Sequence, residues 1–310
     1  MAIIRIIAAC LFITLCHAQN DTLRFKYEEF DDKLSVQLFT LNTSNSFSLH
    51  YGAENLTVDV EPNKKTTLGI SVQYDIVFIS LGFAPSFFAD NKDNANSKMV
   101  SFALDVFPGR FVQHFDYYYQ RGISLKSDNV NLYLENLKTM KIGGSTAFVF
   151  NRQFSYRAIA LQNGKQTISA GTFAPTLSYY YTELNGKSQE GFGDKDHFVD
   201  VALSPTYYYN WVIAKNFMVS AGLGVGAGIT LSDESSPRAL YQASAIIGLG
   251  YNAERFFAGI NSKGLASSHN ASEDVAMDDS ISYATAFVGY RFDAPKFLVK
   301  GKEKIKERIK

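Results

Sequence analysis

Cysteine is nearly absent from this sequence of 310 residues, and its two cysteines, Cys10 and Cys16, both lie close to the N-terminus. If the N-terminal stretch that contains both cysteines is removed, the remaining chain has no disulfide, no thiolate metal site and no cysteine nucleophile. An excess of charge of either sign is also absent, because 30 lysines and arginines stand against 30 aspartates and glutamates. These absences argue against a disulfide-built secreted domain and against a basic nucleic-acid-binding protein.

A linker that would divide the chain is absent as well. No segment rich in proline or serine interrupts residues 19–292, so we expect one domain over that range. Helical periodicity is scarce before residue 293, which favours an all-β fold.

The first 18 residues, MAIIRIIAACLFITLCHA, combine one basic residue with an apolar run and a small residue at the end. This order is typical of a secretory signal peptide, and the run is shorter than the roughly 20 residues that span a bilayer. We therefore predict a signal peptide over 1–18, cleavage before Gln19, and export across the inner membrane to the outer membrane. Lipid attachment to Cys10 or Cys16 is the less favoured alternative, because Cys10 lies early in the apolar run and Leu15 fits poorly before a lipidated cysteine.

The clearest pattern in the chain is FMVSAGLGVGAGITL at 217–231, where apolar residues alternate with glycine or small polar residues. A two-residue period predicts a strand with one apolar face, and this strand is longer than the usual strand of about 5–6 residues in soluble proteins. Glycines that share the other face predict a crowded, curved inner wall. The alternation recurs in TLGISVQY (67–74), RFVQHFDYYYQ (110–120) and LYQASAIIGLGYN (240–252).

Short links between these segments alternate with long polar ones, which is the pattern of a membrane barrel. We predict an antiparallel transmembrane β-barrel of about 12 strands, within a range of 10–14, with short periplasmic turns and longer extracellular loops. Residues 162–197 leave two alternatives open, a missed strand or a broken strand. Tight links are predicted at 74–75, 108–109, 151–152, 214–216 and 252–254, and longer polar segments at 90–98, 124–138, 232–237 and 263–279.

Three runs of three tyrosines, at 117–119, 179–181 and 207–209, support the membrane interpretation. Tyrosine combines an apolar ring with a hydroxyl, so it collects where hydrocarbon meets lipid headgroups. We expect each run to lie near a strand end with two of its three rings facing lipid, and Trp211 to lie on the short-turn side. A soluble β-sandwich is the alternative, but its strands are shorter and its core leaves inward glycines unexplained.

The last predicted strand ends in VGYRF at 288–292 and is followed by a basic tail over 293–310. Pro295 stops the strand, and the rest of the tail is able to form a short helix. A solvated periplasmic tail is the favoured interpretation, and a cationic anchor for anionic lipid or cell-wall polymer is the alternative.

Four segments resemble a known family of envelope proteins, the domain of unknown function 4421 (DUF4421). The resemblance covers roughly residues 50–230 and is most specific at Phe154–Arg157 and Ser169–Gly171. It implies an outer-membrane barrel without an established activity, and it supplies no catalytic residues. The segments are VEPNKKTTLGISVQYDIVFISLGF (60–83), SFALDVFPGRFVQHFDYYYQRGISL (101–125), FNRQFSYRAIALQNGKQTISAGTF (150–173) and SPTYYYNWVIAKNFMVS (204–220).

Residues that could carry chemistry are few. The histidines that remain after processing, at 50, 114, 197 and 269, form no zinc-binding spacing, and the glycines of 222–228 repeat every second residue, unlike a dinucleotide-binding turn. Asp194, Asp196 and His197 are the best catalytic candidates, although a polar loop with one histidine is the favoured interpretation. We therefore predict no catalytic, cofactor-binding or metal-binding residues.

Charged side chains are predicted inside the barrel. On the strand at 110–120, the alternation places Arg110, His114, Asp116 and Gln120 on the lumen face. Arg152 and Arg157 are predicted on or near another strand. These groups would set ion preference in an open lumen, but in a narrow barrel we expect them to pair with one another, since buried charges need partners.

Three functions follow from this barrel, in order of preference. The first is a structural barrel or narrow pore for small solutes, because a lumen of about 12 strands is partly filled by side chains. The second is a barrel that binds a ligand or partner through its extracellular loops, and the third is a hydrolase acting through His197. We expect no enzymatic activity, no cofactor and no nucleic acid. The expected partners are outer-membrane lipid, the barrel-assembly machinery during insertion, and a small solute or extracellular ligand.

Overall fold

The structure is a computed structural model, and strands dominate it. It describes residues 26–51, 56–62, 65–88, 91, 98–127, 130–160, 163–189, 195–232, 235–270 and 275–309. The predicted signal peptide lies outside these residues. In chain order, the elements are β1 (Tyr27–Glu29), β2 (Lys33–Tyr51), β3 (Leu56–Pro62), β4 (Lys65–Tyr74), β5 (Val77–Phe83), β6 (Lys98–Val106), β7 (Phe111–Ser127), β8 (Val130–Phe148), β9 (Gly164–Gln166), β10 (Ala170–Phe173), β11 (Thr176–Asn185), β12 (Lys195–Ser204), β13 (Thr206–Ala214), β14 (Phe217–Ser232), β15 (Ser235–Asn252), β16 (Phe256–Asn270), β17 (Val275–Asp293) and α1 (Lys296–Ile309).

Twelve strands close into a ring in the order β2, β4, β5, β6, β7, β8, β11, β12, β14, β15, β16 and β17. The ring closes because β14 pairs with β15 and the last strand, β17, pairs with the first long strand, β2. That final pairing runs from Val275 opposite Tyr51 to Asp293 opposite Lys33, and it is antiparallel. A closed ring has no free edge, as a membrane-spanning sheet requires. The predicted all-β antiparallel barrel of about 12 strands is confirmed.

Two of the wall strands are broken at a proline. For residues 162–197, the structure therefore agrees with the broken strand, the second of the two alternatives. β10 and β11 follow each other with only residues 174–175 between them, and β12 and β13 are separated by Pro205 alone. β10 pairs with β13, with Ala170 opposite Asn210, and β11 pairs with β12, with Thr176 opposite Ser204. Proline has no N–H to give to the sheet, so each long strand continues past its proline as a second segment.

The two faces of the wall have opposite composition, as the alternation predicts. On β14, the outward side chains of Leu223 and Val225 are 71% and 68% exposed, whereas inward Met218 and Ser220 are 5% and 2% exposed. The inward glycines allow close packing, since a Cβ on Gly222 would lie 2.4 Å from the ring of Tyr208. Large outward apolar side chains around a closed barrel are the lipid-facing surface.

The tyrosine runs divide between the two faces, and two rings of each run point outward as predicted. The middle rings point into the lumen: Tyr118 stacks on Tyr283 at 5.7 Å and Tyr180 donates to the Asp116 carboxylate at 3.1 Å. Tyr208 lies 5.3 Å from the ring of Tyr156. The expected position near a strand end is wrong for the first run, because β7 continues to Ser127.

Aromatic side chains form a belt at the end of the barrel where the connections are short, which we call the turn end. Trp211 is 56% exposed there, which agrees with its predicted position. Amphipathic rings in this position suit the boundary between lipid and water. The neighbouring ring pairs are Phe111 with Phe148, Phe148 with Phe150, Phe217 with Tyr251, and Tyr290 with Phe292.

The opposite end, which we call the loop end, differs from its prediction. The polar segments 124–138 and 263–279 were expected as loops, but β7 extends to Ser127, β8 begins at Val130, β16 extends to Asn270 and β17 begins at Val275. Polar residues beyond the membrane still pair their backbones, so the sheet continues past the apolar band. The predicted connection at 90–98 agrees with the gap between the end of β5 and the start of β6.

The basic tail forms α1 below the turn end. Lys302 contacts the carboxylate of Asp75 at 3.0 Å and donates to the carbonyl of Asp31 at 3.2 Å. Phe297 is 71% exposed. In the described part of the chain, no helix has both the length and the apolar character needed to cross a membrane.

Candidate functional site in the barrel lumen

A segment of the chain folds into the barrel instead of linking two wall strands directly. We call the described residues between β8 and β10, 149–160 and 163–169, the lumen segment. Phe154, Ala158 and Ile159 are buried in it, and Ala158 is 0% exposed because it packs among Phe39 and other wall side chains. The predicted tight link at 151–152 is therefore wrong. The alternation ends at this point because these residues leave the sheet.

Polar side chains of the wall hold the backbone of the lumen segment. Asn210 donates from Nδ2 to the Ser155 carbonyl at 3.0 Å, and Asn252 donates to the Gly164 carbonyl at 2.9 Å. Within the segment, Asn163 is 0% exposed and its side chain contacts the hydroxyl of Ser35. Buried backbone groups need such partners, so the wall and the segment fit each other over the turn-end half of the lumen.

An ion pair ties the lumen segment to the chain that precedes the barrel. Arg157 Nη1 lies 2.6 Å from Asp31 Oδ1, and Arg157 Nε lies 3.8 Å from Glu29 Oε1. The short strands β1 and β9 also pair with each other, with Tyr27 opposite Gln166. Burial raises the pKa of Glu29, and the guanidinium of Arg157 opposes that shift. Arg157, predicted on or near another strand, belongs to the lumen segment and lies beside the short strand β1.

A histidine lies between two carboxylates in the middle of the lumen. His114 Nδ1 is 2.6 Å from Asp105 Oδ1, and His114 Nε2 is 2.8 Å from Asp116 Oδ2. This contact confirms that His114 and Asp116 share the lumen face and pair with each other. Arg110 differs, because it lies at the turn and donates from Nε to the Val149 carbonyl at 2.8 Å.

The loop-end half of the lumen contains a cavity of about 190 Å³, which we call the vestibule. The side chain of Lys141 lines the vestibule, and its Nζ lies 3.3 Å from Asp279 Oδ2 and 5.0 Å from the centroid of the Tyr180 ring. Gln120, predicted on the lumen face, lines this cavity. Other polar residues that line it are Thr43, Thr182, Asp196, Asp200, Ser267 and Asp279.

Two buried oxygens of this region lack a hydrogen-bond partner within the described residues, Asp116 Oδ1 and Thr43 Oγ1. Thr43 lines the vestibule and is 6% exposed. A buried polar atom without a partner is costly, so a bound solute or water near the vestibule would be favoured. The described residues contain no group of three or more His, Cys, Asp or Glu side chains that could hold a metal ion.

The candidate catalytic group at 194–197 is not brought together. Asp196 lines the vestibule, whereas the neighbouring His197 lies on the outer face, 3.6 Å from Glu183 Oε2. Successive residues of a strand point to opposite sides, so the side chains of Asp196 and His197 lie on opposite faces of β12. Asp194 lies outside the described residues, as do the side chains of His50 and His269.

Lys141, Asp279 and Tyr283 all line the vestibule, and none of them was named from the sequence. Lys141 lies on β8, just beyond the segment 124–138 that was expected as a loop. Asp279 lies at the boundary of the segment 263–279 that was also interpreted as a loop. Recognising continued alternation through these polar stretches would have placed both residues on the lumen face.

Solved structures with a similar fold are outer-membrane proteins of low sequence identity. The translocator domain of the autotransporter NalP from Neisseria meningitidis has 13% identity and a TM-score of 0.41, covering 92% of this chain and 93% of that chain. An outer membrane channel from Pseudomonas putida F1 has 8% identity and a TM-score of 0.37, covering 89% and 99%. The outer membrane protease OmpT from Escherichia coli has 9% identity and a TM-score of 0.33, covering 88% and 99%.

No curated protein sequence matches the chain significantly. The family described as a domain of unknown function (DUF4421) matches residues 20–292, which include all twelve strands of the ring except the last residue of β17. The sequence resemblance is thereby confirmed. The chain is a closed antiparallel β-barrel protein that belongs to the DUF4421 family.

Proposed function

We propose that this protein is a gated outer-membrane barrel that binds a small polar solute in the vestibule and passes it only when the lumen segment moves. The observation that carries the proposal is the lumen segment, whose buried side chains pack against the wall in the turn-end half of the barrel, while the vestibule lies in the loop-end half. A pore that conducts at all times would need a continuous aqueous path.

The size of the vestibule supports a small solute. Its volume of about 190 Å³ is below the roughly 300–1,000 Å³ of pockets that hold drug-sized ligands. Its walls combine aromatic rings with Lys141 and three carboxylates, Asp196, Asp200 and Asp279. Most of the lining surface is apolar and a few polar groups are placed within it, an arrangement that suits a small solute with both an apolar part and hydrogen-bonding groups.

Conductance across planar bilayers tests this proposal. The purified barrel should remain mostly closed, whereas a variant in which a short Gly-Ser linker replaces residues 153–168 should give discrete conductance steps. A matched control lacks the helix α1 instead, and it should stay closed because α1 lies outside the ring. Steady conductance of the unaltered protein, or silence of the variant without the lumen segment, would contradict the proposal.

Two related points belong to the same proposal. We infer that the chain reaches the outer membrane after removal of residues 1–18, and that the barrel-assembly machinery joins β17 to β2 during insertion. We also propose that the protein is not an enzyme, because the candidates Asp196 and His197 face opposite sides of β12. Hydrolysis of lipid or peptide that disappears in His197→Ala would overturn that part.

A further inference from the structure

A row of basic residues crosses five neighbouring wall strands at one height near the loop end. In the register of the sheet, Lys98 lies opposite Arg121, Arg121 opposite Lys138, and Lys138 opposite Asn185. Asn185 in turn lies opposite Lys195. We call Lys98, Arg121, Lys138 and Lys195 the basic row. Four strand spacings make it about 19 Å wide.

The basic row lies on the outer face of the barrel. The residues next to its members in sequence face the lumen: Met99, Gln120, Thr139 and Asp196 line the vestibule. Because successive side chains of a strand point to opposite faces, the members of the basic row point away from the lumen.

On β6, β7 and β8, the wall directly below the basic row is apolar and aromatic, whereas β11 and β12 carry Glu183 and His197 at that level. Val100 is 47% exposed, and the register places it opposite Tyr119, which lies opposite Met140. Two residues further along the strands, away from the basic row, Tyr117 lies opposite Ile142, and Ile142 lies opposite Tyr181. The basic row therefore lies where the apolar band ends, which is the height of the lipid headgroups in the outer leaflet.

The charges of the basic row are only partly balanced by the protein. Lys195 contacts Glu183 at 2.7 Å, whereas Arg121 donates to neutral oxygens, Asn136 Oδ1 at 2.6 Å and the Glu135 carbonyl at 3.3 Å. Within the described residues, Lys98, Arg121 and Lys138 form no salt bridge with a carboxylate. Like charges directly opposite each other destabilise a sheet, so an anion from outside would stabilise this part of the wall.

We propose that the basic row binds the phosphate groups of a phosphorylated lipid in the outer leaflet, with its acyl chains on the wall below. Arginine matches phosphate oxygens with two parallel hydrogen bonds, and lysine adds compact positive charge. The apolar wall below favours a lipid over free phosphate, because it offers a contact that only acyl chains use. This site lies outside the lumen, so it does not depend on the proposed gating.

Native mass spectrometry of the folded barrel in detergent tests the proposal with a defined probe, a bisphosphorylated acylated glucosamine disaccharide. The probe should remain bound to the unaltered protein. In a variant with Lys98→Gln, Arg121→Gln and Lys138→Gln, its Kd should rise about tenfold or more, since the loss of even one charged hydrogen bond changes an affinity by about that factor. The same probe without its phosphates should bind both proteins equally weakly.

A matched variant carries the same change of charge at scattered exposed positions, Lys187→Gln, Lys215→Gln and Lys296→Gln, and it should keep the affinity of the unaltered protein. Heat-modifiable migration on a gel confirms that each variant is folded. Equal affinity in the two variants would overturn the proposal, and so would binding of the probe without phosphates to the unaltered protein as tight as that of the bisphosphorylated probe. Competition by inorganic phosphate at equal concentration would identify a free-anion site and would likewise overturn the lipid assignment.

Discussion

The two halves of the lumen are built in different ways. The turn-end half is filled by the lumen segment, whose backbone bonds to wall side chains such as Asn210 and Asn252. The loop-end half contains the vestibule, and charged side chains that line it pair with each other, as Lys141 and Asp279 do. In the proposed function, the first half closes the barrel and the second half holds the solute. The residues that fill the turn-end half differ from those that line the vestibule, so each set can be substituted separately.

The largest effect is expected at the boundary between the halves, where His114 contacts Asp105 and Asp116. His114→Ala would leave two lumen carboxylates facing each other without their shared partner, and Asp116 is only 4% exposed. Breaking a buried ion pair costs about 3–5 kcal/mol. Urea unfolding of the barrel in lipid vesicles, followed by tryptophan fluorescence of Trp211, measures the loss.

His197→Ala is the matched control for that variant. His197 is 30% exposed on the outer face near the loop end, and substitutions at the surface away from the core usually change stability by no more than about 0.5 kcal/mol. Equal loss of stability in the two variants would show that the lumen position of His114 has no special weight.

A smaller effect is expected in the turn-end half when the lumen segment loses its ion pair. Arg157→Ala removes the hydrogen bond to Asp31, and hydrogen bonds to charged groups contribute about 1.5–3 kcal/mol. The segment should open more often, so brief conductance steps should appear in planar bilayers. Arg152→Ala, at an exposed position of the same segment, should leave the barrel closed. If both variants remain silent, Arg157 does not hold the gate.

The smallest effect is expected from a single methyl group on the inner wall. Gly222→Ala places a Cβ 2.4 Å from the Tyr208 ring, and such overpacking costs about 1–3 kcal/mol. Gly264→Ala is the control, because nothing lies within 4 Å of its added Cβ. Unfolding of both variants in urea should separate them, and equal stabilities would argue against close packing between the wall and Tyr208.

The sequence predicted the wall better than the contents of the lumen. Alternation along β14 and β15 fixes which side chains face lipid, because only the outward residues must all be apolar. The lumen segment has no such period, since its residues pack on the inside of a sheet formed by distant strands. Asn163, which is completely buried, has a polar neighbourhood in the sequence and gives no local signal of burial.

The polar ends of the strands were the other limit. Around residues 124–138, hydrophilic composition predicts a loop, yet β7 and β8 pair there in water beyond the membrane. The basic row was missed in the sequence for a related reason. Lys98, Arg121 and Lys138 are far apart in the sequence and become neighbours only through the strand register, which short-range patterns do not determine.

Thiol labelling tests the division of the lumen most directly, because both native cysteines lie in the N-terminal stretch of the sequence. Thr182→Cys places a thiol in the vestibule, and Ser155→Cys places one in the lumen segment, where Ser155 is 3% exposed. A charged, membrane-impermeant thiol reagent added outside intact cells should modify Thr182→Cys quickly and leave Ser155→Cys unreacted. Equally fast modification of both thiols would contradict a barrel that is open at its loop end and closed by the lumen segment.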